Sequence, residues 1–184
     1  MTAPLVLSAD DSLLLMIDVQ EKLAPVMTDP RRVIHNGTRL MRAAACLGVP
    51  TVVTEQYPDG IGPTVFDLRE YMPADGPLSK LHFSCAEDEA IMARIQQTKR
   101  RQIVIAGTEA HVCVLQSALG LLARGYQVFV VADACASRRI ESETLAMDRL
   151  RQAGVVVVSV EMTLFEWLYQ AGTPEFKDLI LLIK

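Results

Sequence analysis

Three residues with side chains suited to hydrolytic chemistry lie at or near the ends of predicted strands. Asp18 directly follows the apolar run of residues 13–17, so its carboxylate would emerge partly desolvated at the edge of a core. Cys113 follows a strand-like run and a glycine-containing turn, which places it in the first turn of the next predicted helix. Lys80 lies in a weakly marked strand of residues 79–82. A carboxylate, a cation and a thiol could together form and stabilise a nucleophile.

A cysteine in the first turn of a helix is close to unpaired backbone N–H groups and to the positive end of the helix dipole, and both favour the thiolate. The same N–H groups could hold a developing oxyanion. Each residue alone also has a structural explanation, since Asp18 could cap a turn, Lys80 could face solvent and Cys113 could pack in a core. Among the four cysteines, only Cys113 combines a glycine-containing turn after a strand with a helix start.

The chain alternates short apolar runs with helical segments, several of which end at glycines. In the second half, the strand-like runs are residues 103–106, 128–131 and 155–158. In the first half, they are residues 13–17, 50–54 and, most weakly, 79–82. This alternation is typical of βαβ units on a parallel sheet, and wholly apolar strands indicate helices on both faces. We therefore predict an α/β fold, a three-layer αβα, doubly wound six-stranded parallel sheet whose ligand crevice lies beyond the carboxyl ends of the strands.

The helices are predicted from their apolar spacing and their end signals. The first runs from about Pro30 to a stop at Gly48, and a capping box of Ser84 and Glu87 opens another that reaches about residue 98. Further helices are expected at residues 139–153, 163–170 and 174–182. The Pro- and Gly-rich residues 57–63 are expected to form a loop, and Cys135 is expected in the loop after the fifth strand.

The composition excludes several classes of protein. The chain has 184 residues and a formal net charge of −4, which fits one domain over residues 1–184 and offers no basic surface for nucleic acid or an anionic membrane. No apolar stretch reaches the ~18 residues of a membrane span, and the amino terminus lacks the features of a secretory signal. The four cysteines have no CxxC spacing, so we expect free thiols and a cytoplasmic protein.

The three reactive residues lie in segments that resemble the isochorismatase-like superfamily of cysteine hydrolases. These segments are Leu-Leu-Met-Ile-Asp-Val-Gln at residues 14–20, Lys-Leu-His-Phe-Ser at 80–84 and Ala-Gly-Thr-Glu-Ala-His-Val-Cys-Val at 106–114. Similarity in pattern and order extends from about residue 11 to about residue 168. The segment Thr-Glu-Gln-Tyr-Pro at 54–58 is similar to the isochorismatase-domain-containing subgroup.

The resemblance implies a sheet of strand order 3-2-1-4-5-6 and a catalytic triad of Asp18, Lys80 and Cys113 at the strand ends. It also implies a cis peptide bond between Thr108 and Glu109, which turns the backbone N–H groups of Glu109 and Cys113 toward an oxyanion. In this chemistry Asp18 accepts the thiol proton, Lys80 keeps Asp18 ionised, and Cys113 attacks a carbonyl carbon to form a thioester. A homo-oligomer is a further expectation from the resemblance.

The nicotinamidase branch of the superfamily binds a metal through an aspartate and two histidines after the second strand, and this chain has no histidine there. Its histidines are His35, His82 and His111, and their separation does not indicate a ligand set. We therefore predict no metal and no cofactor. The predicted substrate-binding wall around the triad consists of Gln20, Glu55, Tyr57, Phe83 and His111. Each of these five residues also has a structural explanation.

The leading hypothesis is a metal-independent cysteine hydrolase that acts on a C–N (amide-type) or related acyl bond of a small molecule. Isochorismate-cleaving enzymes usually lack the cysteine, so Cys113 favours acyl chemistry, and hydrolysis of an isochorismate-like ether is the first alternative. The second alternative is a non-catalytic binding module in which Cys113 is a redox-sensitive thiol. The expected partner is a small-molecule substrate, with no nucleic acid and no membrane.

Overall fold

Six short segments form one parallel sheet in the computed structural model, which describes residues 6–183. The strands are β1 (Ser12–Ile17), β2 (Thr51–Gln56), β3 (Leu78–Lys80), β4 (Gln102–Thr108), β5 (Gln127–Ala136) and β6 (Val156–Val158). Their order is β3-β2-β1-β4-β5-β6, and each pair of neighbours is parallel. The predicted number, direction and order of the strands are confirmed.

The α-helices are α1 (Pro30–Leu47), α2 (Pro58–Ile61), α3 (Phe66–Arg69), α4 (Glu89–Gln97), α5 (Leu115–Ala123), α6 (Ile140–Gln152), α7 (Val160–Leu168) and α8 (Pro174–Leu179). Short 3-10 turns lie at Ala24–Val26, Cys85–Glu87 and Ile180–Leu182, and a π turn at Ala110–Val114 leads directly into α5. None of the helices within residues 6–183 is both long enough and apolar enough to cross a membrane.

The side chains of the central strands alternate between two cores, one on each face of the sheet. On β1, Leu14 and Met16 belong to the core that α1, α7 and α8 cover, whereas Leu13, Leu15 and Ile17 belong to the core that α4, α5 and α6 cover. All six residues of β1 are buried, which explains why this strand is almost wholly apolar. The predicted three-layer arrangement is confirmed.

Several element boundaries differ from the predictions, and three of the differences lie near functional candidates or change the type of structure. Ser84 caps only a 3-10 turn, and α4 begins after Asp88, whose carboxylate accepts the first free N–H groups of that helix. Cys135 does not lie in a loop, because β5 continues to Ala136. Part of the predicted loop at residues 57–63 is folded into the short helix α2.

The central strands β1 and β4 approach each other most closely at Gly107, which pairs with Ile17. Gly107 has a φ of 135°, and a Cβ atom there would overlap with the backbone of Ile17, so a side chain cannot be accommodated. Asp18 follows Ile17 immediately, and the turn that leads to Cys113 follows Gly107. The close contact between the two strands therefore brings a carboxylate and a thiol to the same edge of the sheet.

Candidate active site

Asp18 lies at the carboxyl end of β1, where it is fully buried. Its φ of 55° is in the left-handed region, which is uncommon for a residue other than glycine. The Thr54 hydroxyl donates to its Oδ1 at 2.8 Å, and the Thr108 hydroxyl donates to its backbone carbonyl at 2.6 Å. Residues from the strands on both sides of β1 thus fix the position of this carboxylate.

Lys80, the last residue of β3, forms a buried ion pair with Asp18. The distance between its Nζ and Asp18 Oδ2 is 2.7 Å, and Lys80 is only 2% exposed. The same Nζ donates to Gln56 Oε1 at 2.6 Å and to the Phe83 carbonyl at 3.3 Å. Burial lowers the pKa of Lys80, but the Asp18 carboxylate and nearby thiols outweigh that effect and the pKa is raised. Lys80 is therefore held as an ammonium ion.

Cys113 lies in the π turn that opens α5, which confirms its predicted place at a helix start. It is 3% exposed, and its Sγ lies 4.0 Å from Gln56 Oε1. Burial raises the pKa of this thiol, and Asp18 raises it further through its charge and a hydrogen bond, while Lys80 lowers it by less. The prediction that the helix start favours the thiolate at rest is therefore wrong, because burial beside a carboxylate outweighs the helix dipole.

The turn between β4 and α5 also differs from the prediction. No peptide bond within residues 6–183 is cis, so the bond between Thr108 and Glu109 is trans and the predicted cis bond is wrong. The chain instead changes direction through the backbone angles of Gly107 and Glu109, whose φ values are 135° and −33°. The Glu109 carbonyl then accepts hydrogen bonds from the N–H groups of Val112 and Val114.

Gln56 contacts both Lys80 and Cys113, although it was not among the predicted site residues. Besides its Oε1 contacts, its Nε2 donates to the Leu81 carbonyl at 2.8 Å. Alternation along β2 was the available signal, because Thr54 and Gln56 are two residues apart at the carboxyl end of the strand and must point to the same side. Both side chains reach the Asp18–Lys80 pair.

Gln20 is fully buried, and its side chain binds the backbone of Gln56. Its Oε1 accepts from the Gln56 N–H at 2.7 Å, and its Nε2 donates to the Gln56 carbonyl at 3.0 Å and to the Gly62 carbonyl at 2.6 Å. These bonds explain why a glutamine is buried here. Contact between Gln20 and a substrate stays a prediction.

Two other predicted wall residues, Glu55 and His111, are turned toward neighbouring loops. Glu55 Oε1 accepts from the backbone N–H and from the hydroxyl of Thr64, both at 2.7 Å. Nδ1 of His111 lies 2.9 Å from the Ser137 hydroxyl. Both residues therefore have structural partners, and their contact with a substrate stays a prediction.

The two aromatic wall residues, Tyr57 and Phe83, are each about half exposed. Tyr57 has a φ of 37°. Its ring lies so close to Gly60 that a Cβ atom on residue 60 would overlap with the ring. Phe83 contributes its carbonyl oxygen to Lys80, while its ring faces outward. Contact between these rings and a substrate stays a prediction.

The remaining thiols are not equivalent to one another. Burial raises the pKa of Cys85 to about 11, with a further contribution from Asp18, and burial raises that of Cys135 to about 12, whereas Cys46 is exposed. Within residues 6–183, no group of three or more His, Cys, Asp or Glu side chains is arranged to hold a metal ion. A reaction without metal or cofactor stays a prediction.

Comparison with known proteins identifies relatives over most of the chain. The model of the isochorismatase domain matches residues 12–162. Isochorismatase domain-containing protein 2 of Bos taurus is 41% identical over 177 residues, which cover 94% of this chain and 83% of the relative.

Solved structures agree with the sequence comparison. The MAR1 ribonuclease of Caenorhabditis elegans superposes with a TM-score of 0.90 at 35% identity, over 97% of this chain and 92% of that protein. YcaC of Pseudomonas aeruginosa, solved with hexane-2,5-diol and covalent acrylamide, superposes with a TM-score of 0.91 at 25% identity, over 98% and 92% of the two chains. The strand order, the matched domain and the identity to these relatives show that the chain belongs to the isochorismatase family.

Proposed function

We propose that the protein is a metal-independent cysteine hydrolase that cleaves a C–N (amide-type) or related acyl bond of a small molecule with Asp18, Lys80 and Cys113. The observation that carries this proposal is the buried ion pair between Lys80 and Asp18 beside a nearly inaccessible thiol. Removing two charges from water is costly, and a buried pair beside a thiol supports a role in proton transfer.

The first step is proton transfer from Cys113 to Asp18. The thiol is protonated at rest because its pKa is raised, so it needs a base at the moment of attack. Asp18 is the carboxylate that raises the pKa of the thiol, which makes it the candidate base. The positive charge of Lys80 stabilises the negative charge both on the carboxylate and on the sulfur. The sulfur then forms a bond to the carbonyl carbon, and the carbonyl oxygen becomes an oxyanion.

Collapse of this intermediate breaks the C–N bond, and the protonated Asp18 gives its proton to the departing nitrogen. The acyl group is left on the Cys113 sulfur as a thioester. A water molecule then loses a proton to Asp18 and attacks the thioester, and that proton returns to the sulfur when the acid product leaves. The Cys113 N–H at the start of α5 is the proposed oxyanion donor, while the role predicted for the Glu109 N–H loses the support of the cis bond.

One consideration favours an amide over the alternatives. A vinyl ether needs a proton donor more than a nucleophile, so Cys113 would be idle in an isochorismate-like reaction. A homo-oligomer and a cytoplasmic location stay predictions from the sequence.

The test is hydrolysis of a panel of small primary amides, with intact-protein mass spectrometry to detect an acyl-enzyme. We expect a substrate-dependent mass increase on Cys113, and loss of both the adduct and turnover in Cys113→Ala. Cys46→Ala is the matched control, because that thiol is exposed and lies outside the site.

Other outcomes of the same panel would reject the proposal. Ether cleavage that survives Cys113→Ala would support the ether hydrolase, and the absence of turnover on every compound would support the binding module. A short single-stranded RNA is included because one relative is named a ribonuclease. RNA cleavage that persists in Cys113→Ala would also contradict a cysteine hydrolase.

A further inference from the structure

The ammonium group of Lys80 has no N–H left for the sulfur of Cys113. A lysine ammonium has three donors. In this site they go to Asp18 Oδ2, Gln56 Oε1 and the Phe83 carbonyl, at 2.7, 2.6 and 3.3 Å. The cation of the site is therefore fully hydrogen-bonded before any substrate arrives, and it acts on the thiol only through its charge.

The amide oxygen of Gln56 is the acceptor that separates Lys80 from Cys113. It is 2.6 Å from Lys80 Nζ and 4.0 Å from Cys113 Sγ, so it takes one ammonium N–H and also offers an acceptor to the S–H group. An oxygen lone pair facing the sulfur stabilises the thiol and opposes a thiolate. Both contacts act in the same direction, since each favours the protonated form of Cys113.

The orientation of the Gln56 amide is fixed by other bonds. Its Nε2 donates to the Leu81 carbonyl at 2.8 Å, which leaves Oε1 toward Lys80. Its backbone N–H and carbonyl are both bound by the side chain of Gln20. The side-chain amide cannot reverse without losing its bonds to Leu81 and Lys80, and Gln56 is 7% exposed, so water does not readily replace those partners.

We propose that Gln56 is a positioning residue that keeps Cys113 protonated at rest by holding the Lys80 ammonium away from the sulfur. The inference rests on the proposed function, because it concerns the nucleophile of that site, and it adds a device that regulates this nucleophile. A thiol is far less reactive than a thiolate toward oxidants and electrophiles. The resting site is thus protected, and the nucleophile forms only when Asp18 takes the proton during attack.

The test is the rate of Cys113 alkylation by iodoacetamide between pH 6 and 10, followed by peptide mass spectrometry in the wild type and in Gln56→Met. Methionine keeps the size of the side chain but removes the acceptor, so one Lys80 N–H becomes free to turn toward the sulfur. We expect Cys113 in Gln56→Met to react about tenfold faster at neutral pH, which corresponds to a pKa lower by about one unit. Because the raised pKa of Cys113 lies above this pH range in both proteins, the ratio of the two rates should stay near tenfold throughout it.

Internal controls separate this effect from loosening of the site. Cys85 is fully buried and also near Asp18, so a loosened site would expose it, whereas we expect it to stay unreactive. Cys46 is exposed and reports the intrinsic reactivity of the reagent. Gln102→Met removes a buried glutamine at the opposite end of the sheet and should leave the Cys113 rate unchanged.

An equal or slower Cys113 rate in Gln56→Met would overturn the proposal. So would a faster Cys113 rate that is accompanied by alkylation of Cys85, because that pattern indicates a loosened site and a merely structural role for Gln56. The measurement needs no substrate. A protein that hydrolyses no amide but shows the expected alkylation pattern would reject the proposed function and keep this inference.

Discussion

Two buried polar networks, one at each end of the sheet, show how similar burial can serve different purposes. At the amino end, Gln102 bonds Ser12, Gln127 and backbone groups of residues 6 and 8, and Trp167 donates to Ser12. Every one of these side chains is neutral. Their hydrogen bonds hold the amino-terminal segment and α7 against the strands. It has nothing to titrate and no nucleophile.

The network at the carboxyl end contains a carboxylate, an ammonium and a thiol with comparable burial. Lys80, Asp18 and Cys113 are at most 3% exposed. Burial of charges costs free energy that neutral amides do not cost, and it is recovered only if the pair stays intact. The contrast is the one expected if the amino end serves stability while the carboxyl end accepts an energetic cost for the proposed chemistry.

The sharpest test of this contrast is Lys80→Met, which leaves Asp18 buried without its cation. We expect the free energy of unfolding at pH 7 to fall by about 3–5 kcal/mol, as measured by urea denaturation. The double variant Lys80→Met with Asp18→Asn should recover part of the loss because no charge is left uncompensated. A loss below about 1 kcal/mol, typical of exposed pairs, would contradict the burial argument.

The second test is the alkaline pH dependence of stability. Because the folded-state pKa values of the buried thiols are raised, their contribution is fully present below the unfolded thiol pKa and is lost as the pH rises toward the folded values. For Cys85 that window extends from 9.0 to about 11. The free energy of unfolding should fall by about 1.4 kcal/mol per pH unit for each such thiol.

The variant Cys85→Ala isolates one share of this pH dependence. Its free energy of unfolding is measured in urea between pH 9 and 10 with a reductant present. It should decline less steeply with pH than that of the wild type, and the difference between the two slopes is the contribution of one thiol. A slope identical to that of the wild type would mean that Cys85 ionises alike in both states.

The third test moves to the neutral network. Gln102→Met leaves its partners without a hydrogen bond and should lower the free energy of unfolding by about 1–3 kcal/mol. Unlike Lys80→Met, it should not alter the pH dependence of unfolding, because none of its partners titrates. A changed slope in urea denaturation between pH 9 and 10 would show that the two ends are coupled.

The smallest effect is expected for Phe83→Ala. Its ring is half exposed and only its backbone carbonyl contacts Lys80, so the free energy of unfolding should change by less than about 0.5 kcal/mol. Leu81→Ala, in a similarly exposed position, is the matched control. A loss several times larger than in Leu81→Ala would mean that the ring helps to hold the carbonyl on Lys80.

The sequence predicted the elements well because the central strands are buried on both faces and are bounded by glycines or polar turns. The carboxyl ends of parallel strands meet at one edge, so Asp18 and Lys80 could be expected to lie near each other. Gln56 was missed because a glutamine carries no charge and no nucleophile. Its role depends on β3 lying beside β2, a neighbour relation that a local pattern does not contain.

The ionisation state of Cys113 could not be predicted from its position on a helix alone. The dipole of a helix start favours a thiolate, but the outcome is decided by burial and by the distance to Asp18, which are tertiary properties. The start of α4 was misplaced for a local reason. Ser84 and Asp88 are both good capping residues, and the first one closes a separate 3-10 turn.

The loop after β2 is fastened at both of its ends by side chains that lie outside it. Gln20 binds the backbone of Gln56 and of Gly62, and Glu55 binds Thr64. Because both ends are held, we expect that the inner residues of this loop can be lengthened or can change charge without moving Asp18, Lys80 or Cys113. Under the proposed function, this loop is the segment in which substrate preference would change while the three proposed catalytic residues stay in place.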